Sequence, residues 1–399
     1  MNLYNATPFA ASYSMGIQKS GRNCLVVVAK ATYKLPMAQE EPTLAEEQIA
    51  PFETDTYTGE PGYSAPIYEN DFATFKPRCD VILHGSAYAP EPVAERIVGL
   101  KVDGMEKLFK VIGPRKYEKM NADGSVQISP PAPFTRLKIS YDTAYGGAEK
   151  TGVVDEHGEA LYDTFTPNPV GRGYTPCCRR EDLIGKPLPQ TEERQRPVES
   201  RRSQDYIPQS FGPIARNWSP RYKLAGTYDQ RWFDHIRPFL PDDFDEGYYQ
   251  CAPPDQQVPH LRGGEVIALF GLTPQEKTRF VIPSVSVPMQ AILSNGDRHE
   301  LSPVIDTLVI EPDEKRFTLV WRARIAIKRN INEIDTLIVG RPTPGWERAR
   351  MMDKPYVPLE RLDEFRVKIL KKMAEEERLR ALDDQKGKPD NLKEIGNGK

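Results

Sequence analysis

The stretch Cys24-Leu-Val-Val-Val-Ala-Lys-Ala-Thr-Tyr-Lys-Leu35 is the clearest structural signal in the chain. It is rich in β-branched residues, which pack well on a pleated surface. After Ala29 it begins to alternate between apolar and polar side chains, which predicts a strand with one buried and one exposed face. The same alternation occurs in Phe317-Thr-Leu-Val-Trp-Arg-Ala-Arg-Ile-Ala-Ile327 and in parts of residues 306–311.

Shorter strands are predicted around these long ones. Residues 98–102 and 107–112 flank Asp103-Gly104, a dipeptide that readily adopts the positive φ angles of a tight hairpin turn. Residues 80–85 and 135–141 give two more strands. We therefore predict an all-β or β-dominated (α+β) protein made of antiparallel, half-buried sheets with long ordered loops.

Composition supports this fold class and narrows the functional classes. The chain has 37 prolines among 399 residues, about 9% against a usual share of about 5%, which argues against a helical bundle. The 54 basic and 57 acidic residues leave a net charge of −3, so nucleic acid is not expected as a partner.

The same sequence gives an expectation about compartment. The apolar run at residues 24–29 is far shorter than the ~20 residues of a membrane span. Five cysteines, an odd number at irregular spacing, suggest reduced thiols. We expect a cytoplasmic protein with no membrane partner.

We predict three parts along the chain. Residues 1–125 form an N-terminal β domain, and residues 126–345 form a β domain that contains a long loop region, 146–261. That loop region is rich in aromatic residues, so we expect it to be ordered, with its prolines fixing the loop conformations. Residues 346–399 form a charged helical tail.

The tail contains a candidate partner-binding helix. Residues 359–385 include 8 acidic and 7 basic residues, and apolar residues recur there at three- and four-residue steps after Pro358. The alternative is a helix that docks on its own protein or remains in solvent. The residues of the candidate interface are Leu362, Phe365, Ile369, Leu370 and Met373.

Signatures of catalysis and of metal or nucleotide binding are missing. The five histidines lack the HxH and HExxH spacings, and the sequence has no GxSxG or GxxxxGK motif. We therefore predict no catalytic, cofactor-binding or metal-binding residues, and we expect His84 to be a packed strand residue.

Five carboxylates lie among glycine, proline and aromatic residues: Asp142, Asp229, Asp243, Asp255 and Glu265. Two such acids held about 5 to 10 Å apart could hydrolyse a glycosidic bond. The alternative, which we favour, is that they anchor loops, as Asx-turns and as ion-pair partners. The partners expected in that case are Arg172, Arg221 and Arg231.

A series of short motifs resembles the signatures of a known bacterial family. It includes Tyr141-Asp-Thr-Ala-Tyr-Gly-Gly147, Asn168-Pro-Val-Gly-Arg-Gly173 and Gly226-Thr-Tyr-Asp229, and similar positions run in order from about residue 20 to 300. The motif residues, to which we assign structural or interaction roles, are Tyr141, Asp142, Gly146, Gly147, Asn168, Gly171, Arg172, Trp218, Arg221, Thr227, Tyr228, Asp229, Trp232, Asp243, Phe244, Asp255, Gln256, Gln257, Gly264 and Glu265.

The family was long labelled a domain of unknown function, and its members are encoded beside type VI secretion spike genes. The resemblance implies a non-enzymatic adaptor or chaperone. Such a protein binds a toxic effector or a PAAR-like spike tip and helps to load it onto the VgrG spike. It implies no catalytic residues, and the tail after about Pro344 lies outside the pattern.

Two alternatives to an adaptor remain open from the sequence. One is a β-rich carbohydrate-active enzyme that uses the loop carboxylates on cell-wall glycans. The other is a structural part of the injection apparatus itself.

Overall fold

The computed structural model describes residues 1–37, 40–328 and 330–356, together with positions 370 and 373. Strands dominate this part of the chain, as predicted. In chain order they are β1 (Asn2–Asn5), β2 (Ala10–Ile17), β3 (Asn23–Lys34), β4 (Thr56–Tyr57), β5 (Pro66–Tyr68), β6 (Cys79–Leu83), β7 (Ser86–Val93), β8 (Glu95–Val102), β9 (Met105–Ile112), β10 (Tyr117–Met120), β11 (Val126–Ile128), β12 (Phe134–Lys138), β13 (Tyr145–Gly146), β14 (Ala148–Val154), β15 (Ala160–Thr164), β16 (Arg172–Gly173), β17 (Thr191–Glu193), β18 (Gln257–Val258), β19 (Val266–Phe270), β20 (Lys277–Val281), β21 (Met289–Leu293), β22 (Arg298–Leu301), β23 (Val304–Glu311), β24 (Arg316–Ala326) and β25 (Ile334–Val339).

Helical structure is short in the same part of the chain. Within residues 1–356 the α-helices are α1 (Gln230–His235) and α2 (Pro344–Met351). Single turns of 3₁₀-helix lie at Tyr141–Thr143, Glu181–Leu183, Arg221–Ala225, Glu246–Tyr249, Pro254–Gln256, Pro312–Glu314 and Ile331–Glu333.

Three larger sheets share one apolar core. Their strand orders are β18-β6-β23-β24-β3-β2, β17-β9-β8-β19-β20 and β1-β25-β21-β22. Most neighbouring strands are antiparallel, while β6 runs parallel to β23 and β1 parallel to β25. Side chains from all three sheets meet in the core, for example Ala29 of β3, Leu100 of β8 and Leu337 of β25. These residues are inaccessible to solvent, which makes apolar burial the main stabilising contribution.

The hairpin predicted around Asp103-Gly104 is confirmed. Strands β8 and β9 pair from Glu95–Ile112 to Val102–Met105, which leaves a two-residue turn. Asp103 has φ +49°, in the left-handed region that such a turn requires.

The expectation of half-buried strands is wrong for β3, β6, β23 and β24, which are buried on both faces. Alternate residues of β3 point into the core, but Val26 and Val28 on the other face are covered as well, with Phe72 packed against them. Lys30 lies on the same covered face, and its ammonium group is 2.8 Å from the carboxylate of Asp71. A second layer of loops therefore covers this sheet.

The chain divides into two compact units, Met1–Arg341 and Pro342–Lys399. Ladders in the first unit join residues on both sides of the predicted boundary at 125/126. Strand β10 pairs with β11, and β8 pairs with β19. In the second unit, the side chain of Thr343 caps α2 by accepting a hydrogen bond from the backbone N–H of Trp346 at 3.2 Å.

Candidate functional site

Two of the motif segments are joined by the side chain of Asn168, which is fully buried. Its Nδ2 donates hydrogen bonds to the carbonyl oxygens of Tyr141 at 2.9 Å and Tyr145 at 3.0 Å. Alongside it, β13 pairs in parallel with β16, which places Tyr145 opposite Arg172. Residues 141–147 and 168–173 therefore form one unit, although the hairpin of β14 and β15 separates them along the chain.

The motif glycines allow these segments to approach closely. A Cβ atom on Gly146 would lie 2.1 Å from the carbonyl oxygen of Asn168, and the residue has φ +155°. On Gly171 a Cβ would lie 2.4 Å from Asn168 Nδ2 and 2.6 Å from the oxygen of Ala144. Larger residues would push the two segments apart.

Asp142 attaches a third segment to this unit. Its carboxylate accepts hydrogen bonds from the backbone N–H of Ala65 at 2.8 Å, the hydroxyl of Thr58 at 2.7 Å and the hydroxyl of Ser140 at 2.8 Å. Below them the ring of Tyr141 packs edge-to-face against Trp218, with 5.5 Å between centroids. These contacts make the motif segments a rigid scaffold.

One side of this scaffold forms a groove of about 900 Å³, which we call the motif groove. Residues 146–150 and 169–175 contribute much of its lining. Its ionic side chains are three cations and one anion, Arg172, Lys150, Lys186 and Glu149. The Glu149 carboxylate is already engaged by Lys186 at 3.2 Å and by the N–H groups of residues 177 and 178 at 2.9 Å. The groove therefore has a cationic surplus.

Arg172 is the residue of the groove with the most unused binding capacity. It is half-buried, and within the described residues its guanidinium group has no hydrogen-bonding or ionic partner. A guanidinium group in this position offers up to five N–H donors to a carboxylate or a carbonyl group. Tyr63 and Tyr162 lie at the same groove and are 79% and 54% exposed. Tyrosine and arginine are enriched at protein interfaces.

The two-stranded hairpin of β14 and β15 rises from Gly147 and carries exposed apolar side chains. Val153, Val154 and Leu161 are 57%, 58% and 45% exposed. We call these three residues with Tyr162 the apolar hairpin. Exposed apolar side chains on a two-stranded hairpin offer apolar area to a binding partner. Nothing in the sequence pattern distinguished these residues from strand residues that face a core.

A second group of motif residues stabilises the loops around α1. Asp229 caps that helix by accepting a hydrogen bond from the N–H of Trp232 at 2.9 Å. Asp243 accepts from the N–H and the hydroxyl of Thr227 at 2.9 and 2.7 Å, and these bonds lower the pKa of its carboxyl group. Tyr228 and Trp232 stack edge-to-face, and Phe244 is buried against Tyr248 and Tyr249.

A third group lies between the sheets. The amide of Gln256 donates to the carbonyl oxygens of Val81 at 2.7 Å and Phe211 at 2.9 Å, and its oxygen accepts from Lys107 at 2.7 Å. Asp255 also pairs with Lys107 at 3.0 Å, and Gln257 donates to the carbonyl of residue 252 at 2.8 Å. Fully buried Gln256 therefore links β6, β9 and the segment around Phe211.

The remaining carboxylate, Glu265, shapes the turn before β19. It accepts hydrogen bonds from the N–H groups of Arg262 at 2.7 Å and Gly263 at 2.9 Å. Gly264 follows with φ +94°, a conformation that favours glycine.

The predicted arginine partners of these acids are wrong. Arg221 is buried and pairs with Glu69 at 2.6 Å, while its other nitrogens donate to backbone carbonyl groups. Burial would raise the pKa of Glu69, but the nearby cations, Arg221 above all and then Arg216, together offset this and hold the pKa below its usual value. Arg231 pairs with Asp242 at 3.3 Å. The loop acids instead bind backbone N–H groups, hydroxyls and Lys107.

The five candidate acids are held as separate anchors. Among the described residues, no hydrogen-bonding partner of one acid is also a partner of another. Each carboxylate acts as a hydrogen-bond acceptor that fixes the position of its own segment. The structure does not bring them together as a hydrogen-bonded acid pair.

Neither a metal-ligand cluster nor a membrane-spanning helix occurs in the described part of the chain. No group of three or more His, Cys, Asp or Glu residues there is placed to hold a metal ion. No described helix combines the length and apolar character needed to cross a bilayer. In the predicted partner-binding helix, Leu362, Phe365 and Ile369 lie outside the described residues, whereas Leu370 and Met373 are helical and exposed.

Comparison with protein families gives a match that covers residues 20–322. The family is described as "Uncharacterized protein conserved in bacteria (DUF2169)". The chain belongs to the DUF2169 family. Searches of the curated proteins and of the solved structures found no match.

The DUF2169 region contains all the motif residues named above, from Tyr141 to Glu265, together with the motif groove and the apolar hairpin. It also contains most of the buried charges, including Lys30, Asp71 and Lys76. Helix α2 lies beyond it.

Proposed function

We propose that this DUF2169 protein is a type VI secretion accessory protein of the cytoplasm. In this role it is an adaptor or chaperone that binds a toxic effector or a PAAR-like spike tip and helps to load it onto the VgrG spike. The observation that carries the proposal is the apolar hairpin beside the motif groove, because together they combine exposed apolar side chains with Arg172, which has no partner among the described residues.

The composition of this surface suits a loading factor, which must hold its client and later release it. Val153, Val154 and Leu161 offer apolar area, which supplies most of the favourable free energy of association. The cations of the groove supply orientation and favour fast encounter with an acidic client surface. Neither element encloses its ligand, so release needs no opening of the fold.

The scaffold beneath the groove supports a binding role as well. Asn168, Asp142 and the glycines Gly146 and Gly171 fix the groove before a client arrives. A preformed surface loses little conformational entropy on binding, which improves affinity without additional contacts.

The test is co-purification with the products of the neighbouring genes, with and without the contact surface intact. We expect the wild-type chain to retain an effector or a PAAR-like protein and to associate with VgrG. Deletion of the protein should abolish secretion of that effector. If no such protein is retained and secretion continues in the deletion strain, the proposal is wrong.

A second measurement separates an adaptor from a part of the injection apparatus. An adaptor stays in the cell after the spike is fired, whereas a structural part leaves with it. We therefore expect the protein in the cell fraction and not in the secreted fraction, detected with an antibody against this chain.

A further inference from the structure

A second surface, distant in sequence from the motif groove, has unpaired backbone groups. Residues 284–287 connect β20 to β21 and are bounded by Pro283 and Pro288. Their burial alternates: Ser284 and Ser286 are exposed, Val285 is half-buried and Val287 is buried. Alternation with a period of two is the pattern of a strand that lies on a core.

This segment has no strand partner in the described chain. The backbone ladder of β20 ends where Ile282 donates to the oxygen of Glu265, and the next ladder begins where Gly340 donates to the oxygen of Pro288. Between them, no backbone group of residues 284–287 has a hydrogen-bonding partner among the described residues. Four consecutive strand-like residues without partners are a template for another strand.

The space beside this segment can take such a strand. Residues 284–288 form one side of an open groove of about 1150 Å³, and residues 258–262 and 303–305 form another. Its apolar lining includes Val258, Leu261, Ile305 and Trp321. A strand of four residues spans about 13 Å and presents alternate side chains to such a lining.

We infer that residues 284–287 bind an extended segment of a partner polypeptide by strand addition. The occupant is a stretch with apolar residues at alternate positions. The backbone of the partner supplies the missing hydrogen bonds, and its apolar side chains cover the groove lining. The inference rests on the proposed function only in requiring that the ligand is a polypeptide.

The ionic groups at the groove rim do not select for charge. The cations Arg78 and Arg262 are matched in number by the anions Asp103 and Glu265. Arg78 is bound to the carbonyl of residue 257, and Glu265 is engaged by its own turn. Recognition is therefore carried by the main chain and by apolar contact.

The experiment uses the full chain and a synthetic decapeptide of alternating threonine and valine with lysine at each end. Hydrogen exchange is measured at residues 284–287 with and without the peptide. We expect fast exchange in the free protein and at least tenfold slower exchange when the peptide is bound. Unchanged exchange at a saturating peptide concentration overturns the inference.

Matched variants test whether the backbone is the element recognised. Ser284→Pro and Ser286→Pro each remove one N–H group on the same strand edge, and Val285→Pro removes one on the other edge. Ser284→Ala and Ser286→Ala keep every N–H group. We expect proline on one of the two edges to weaken peptide binding by about tenfold, and alanine to leave it within about twofold. Circular dichroism checks that each variant is folded.

The outcomes separate this inference from the proposed function. Retention of a secretion client by all the proline variants, with unchanged affinity, overturns strand addition and leaves the adaptor role standing. Peptide binding without retention of a secretion client supports strand addition and overturns the adaptor role. If the chain forms a dimer that Ser286→Pro converts to a monomer, the edge belongs to a second copy and the inference of a foreign partner is wrong.

Discussion

The ε-ammonium group of Lys76 lies 2.8 Å from the carboxylate of Asp80, and both side chains are buried. Burial by itself would lower the pKa of Lys76, but the combined attraction of nearby acidic groups, chiefly Asp80 with Asp306, outweighs it and raises the pKa above its usual value. The second oxygen of Asp80 accepts from Gln250 at 2.6 Å, and the N–H of Cys251 donates to the first oxygen at 3.0 Å. The pair therefore attaches β6 to the loop at 250–252.

Replacing Lys76 by methionine should strongly destabilise the fold. The change leaves the Asp80 carboxylate buried without its counter-ion, which typically costs about 3–5 kcal/mol. Urea unfolding measures the loss of free energy. Lys34→Met is the control, because Lys34 pairs with Glu46 at 3.3 Å on the surface and such pairs contribute at most about 1 kcal/mol. Equal losses in the two variants would contradict the role of the buried pair.

Gly171→Ala should loosen the motif unit. Its Cβ would lie 2.4 Å from Asn168 Nδ2 and 2.6 Å from the Ala144 oxygen, so the segments must separate and the Asn168 hydrogen bonds weaken. We expect a loss of about 1–3 kcal/mol in urea unfolding, the usual cost of overpacking. Gly104→Ala is the control, since nothing lies within 4 Å of its added Cβ. Faster proteolysis between residues 146 and 173 in Gly171→Ala alone would localise the effect.

The strand content could be predicted from sequence because the pattern of apolar residues in β3, β23 and β24 is local. The burial of the second face of these strands could not be predicted in this way. Lys30 has the spacing of an exposed position in an alternating strand, and its partner Asp71 is 41 residues away. Only the folded chain brings the two together, so a pattern confined to one strand assigns Lys30 to solvent.

The site was predictable only in part, because a local sequence pattern identifies residues but not their contacts in the folded chain. The motif series identified Asn168, Gly171 and Arg172, but not that the first two form a scaffold while the third lies in a groove without a partner among the described residues. Val153 and Val154 have the composition of core residues, and their exposure follows from the absence of any covering element over the described hairpin. Spacing along the chain contains no information about what covers a strand.

Arg172→Gln should weaken client binding without changing stability. The guanidinium group has no partner in the described chain, so its removal leaves no buried group unsatisfied, whereas a bound carboxylate would lose its counter-ion. We expect at least a tenfold loss of affinity for the co-purified client by calorimetry, with unfolding unchanged within about 0.5 kcal/mol. Arg279→Gln, an exposed residue of β20, serves as control. Unchanged affinity in Arg172→Gln would remove this residue from the contact surface.

The apolar hairpin can be tested against a second hairpin of the same chain. Val154→Lys with Leu161→Lys should reduce client binding by about tenfold or more, because apolar contact area is replaced by charge. Met120→Lys with Ile128→Lys alters β10 and β11, where both residues are 41% exposed, and should have little effect. Both double variants should unfold like the wild type. If the two pairs weaken binding equally, the effect is one of net charge and not of the apolar hairpin.

His84 should make the stability of the protein depend on pH below neutrality. Its ring packs edge-to-face against Tyr68 at 5.3 Å, and burial lowers its pKa from 6.5 to about 4, although Glu311 opposes the shift. The unfolded chain therefore binds a proton near pH 6.5, before the folded chain does. Stability from the neutral ring is complete above pH 6.5 and is lost as the pH falls towards 4, by roughly 3 kcal/mol in total.

A narrower pH range separates the contribution of His84 from that of the carboxyl groups. The carboxyl groups of Glu69, Glu311 and Asp313 have lowered pKa values, so the stability they contribute is lost only below about pH 4.5. Between pH 6.5 and 4.5, urea unfolding of the wild type should show a falling stability that His84→Asn lacks. His157→Asn is the matched control, because that side chain is 78% exposed and should leave the slope as it is. A slope that persists in His84→Asn would assign the proton uptake to another group, because asparagine cannot take up a proton in this range.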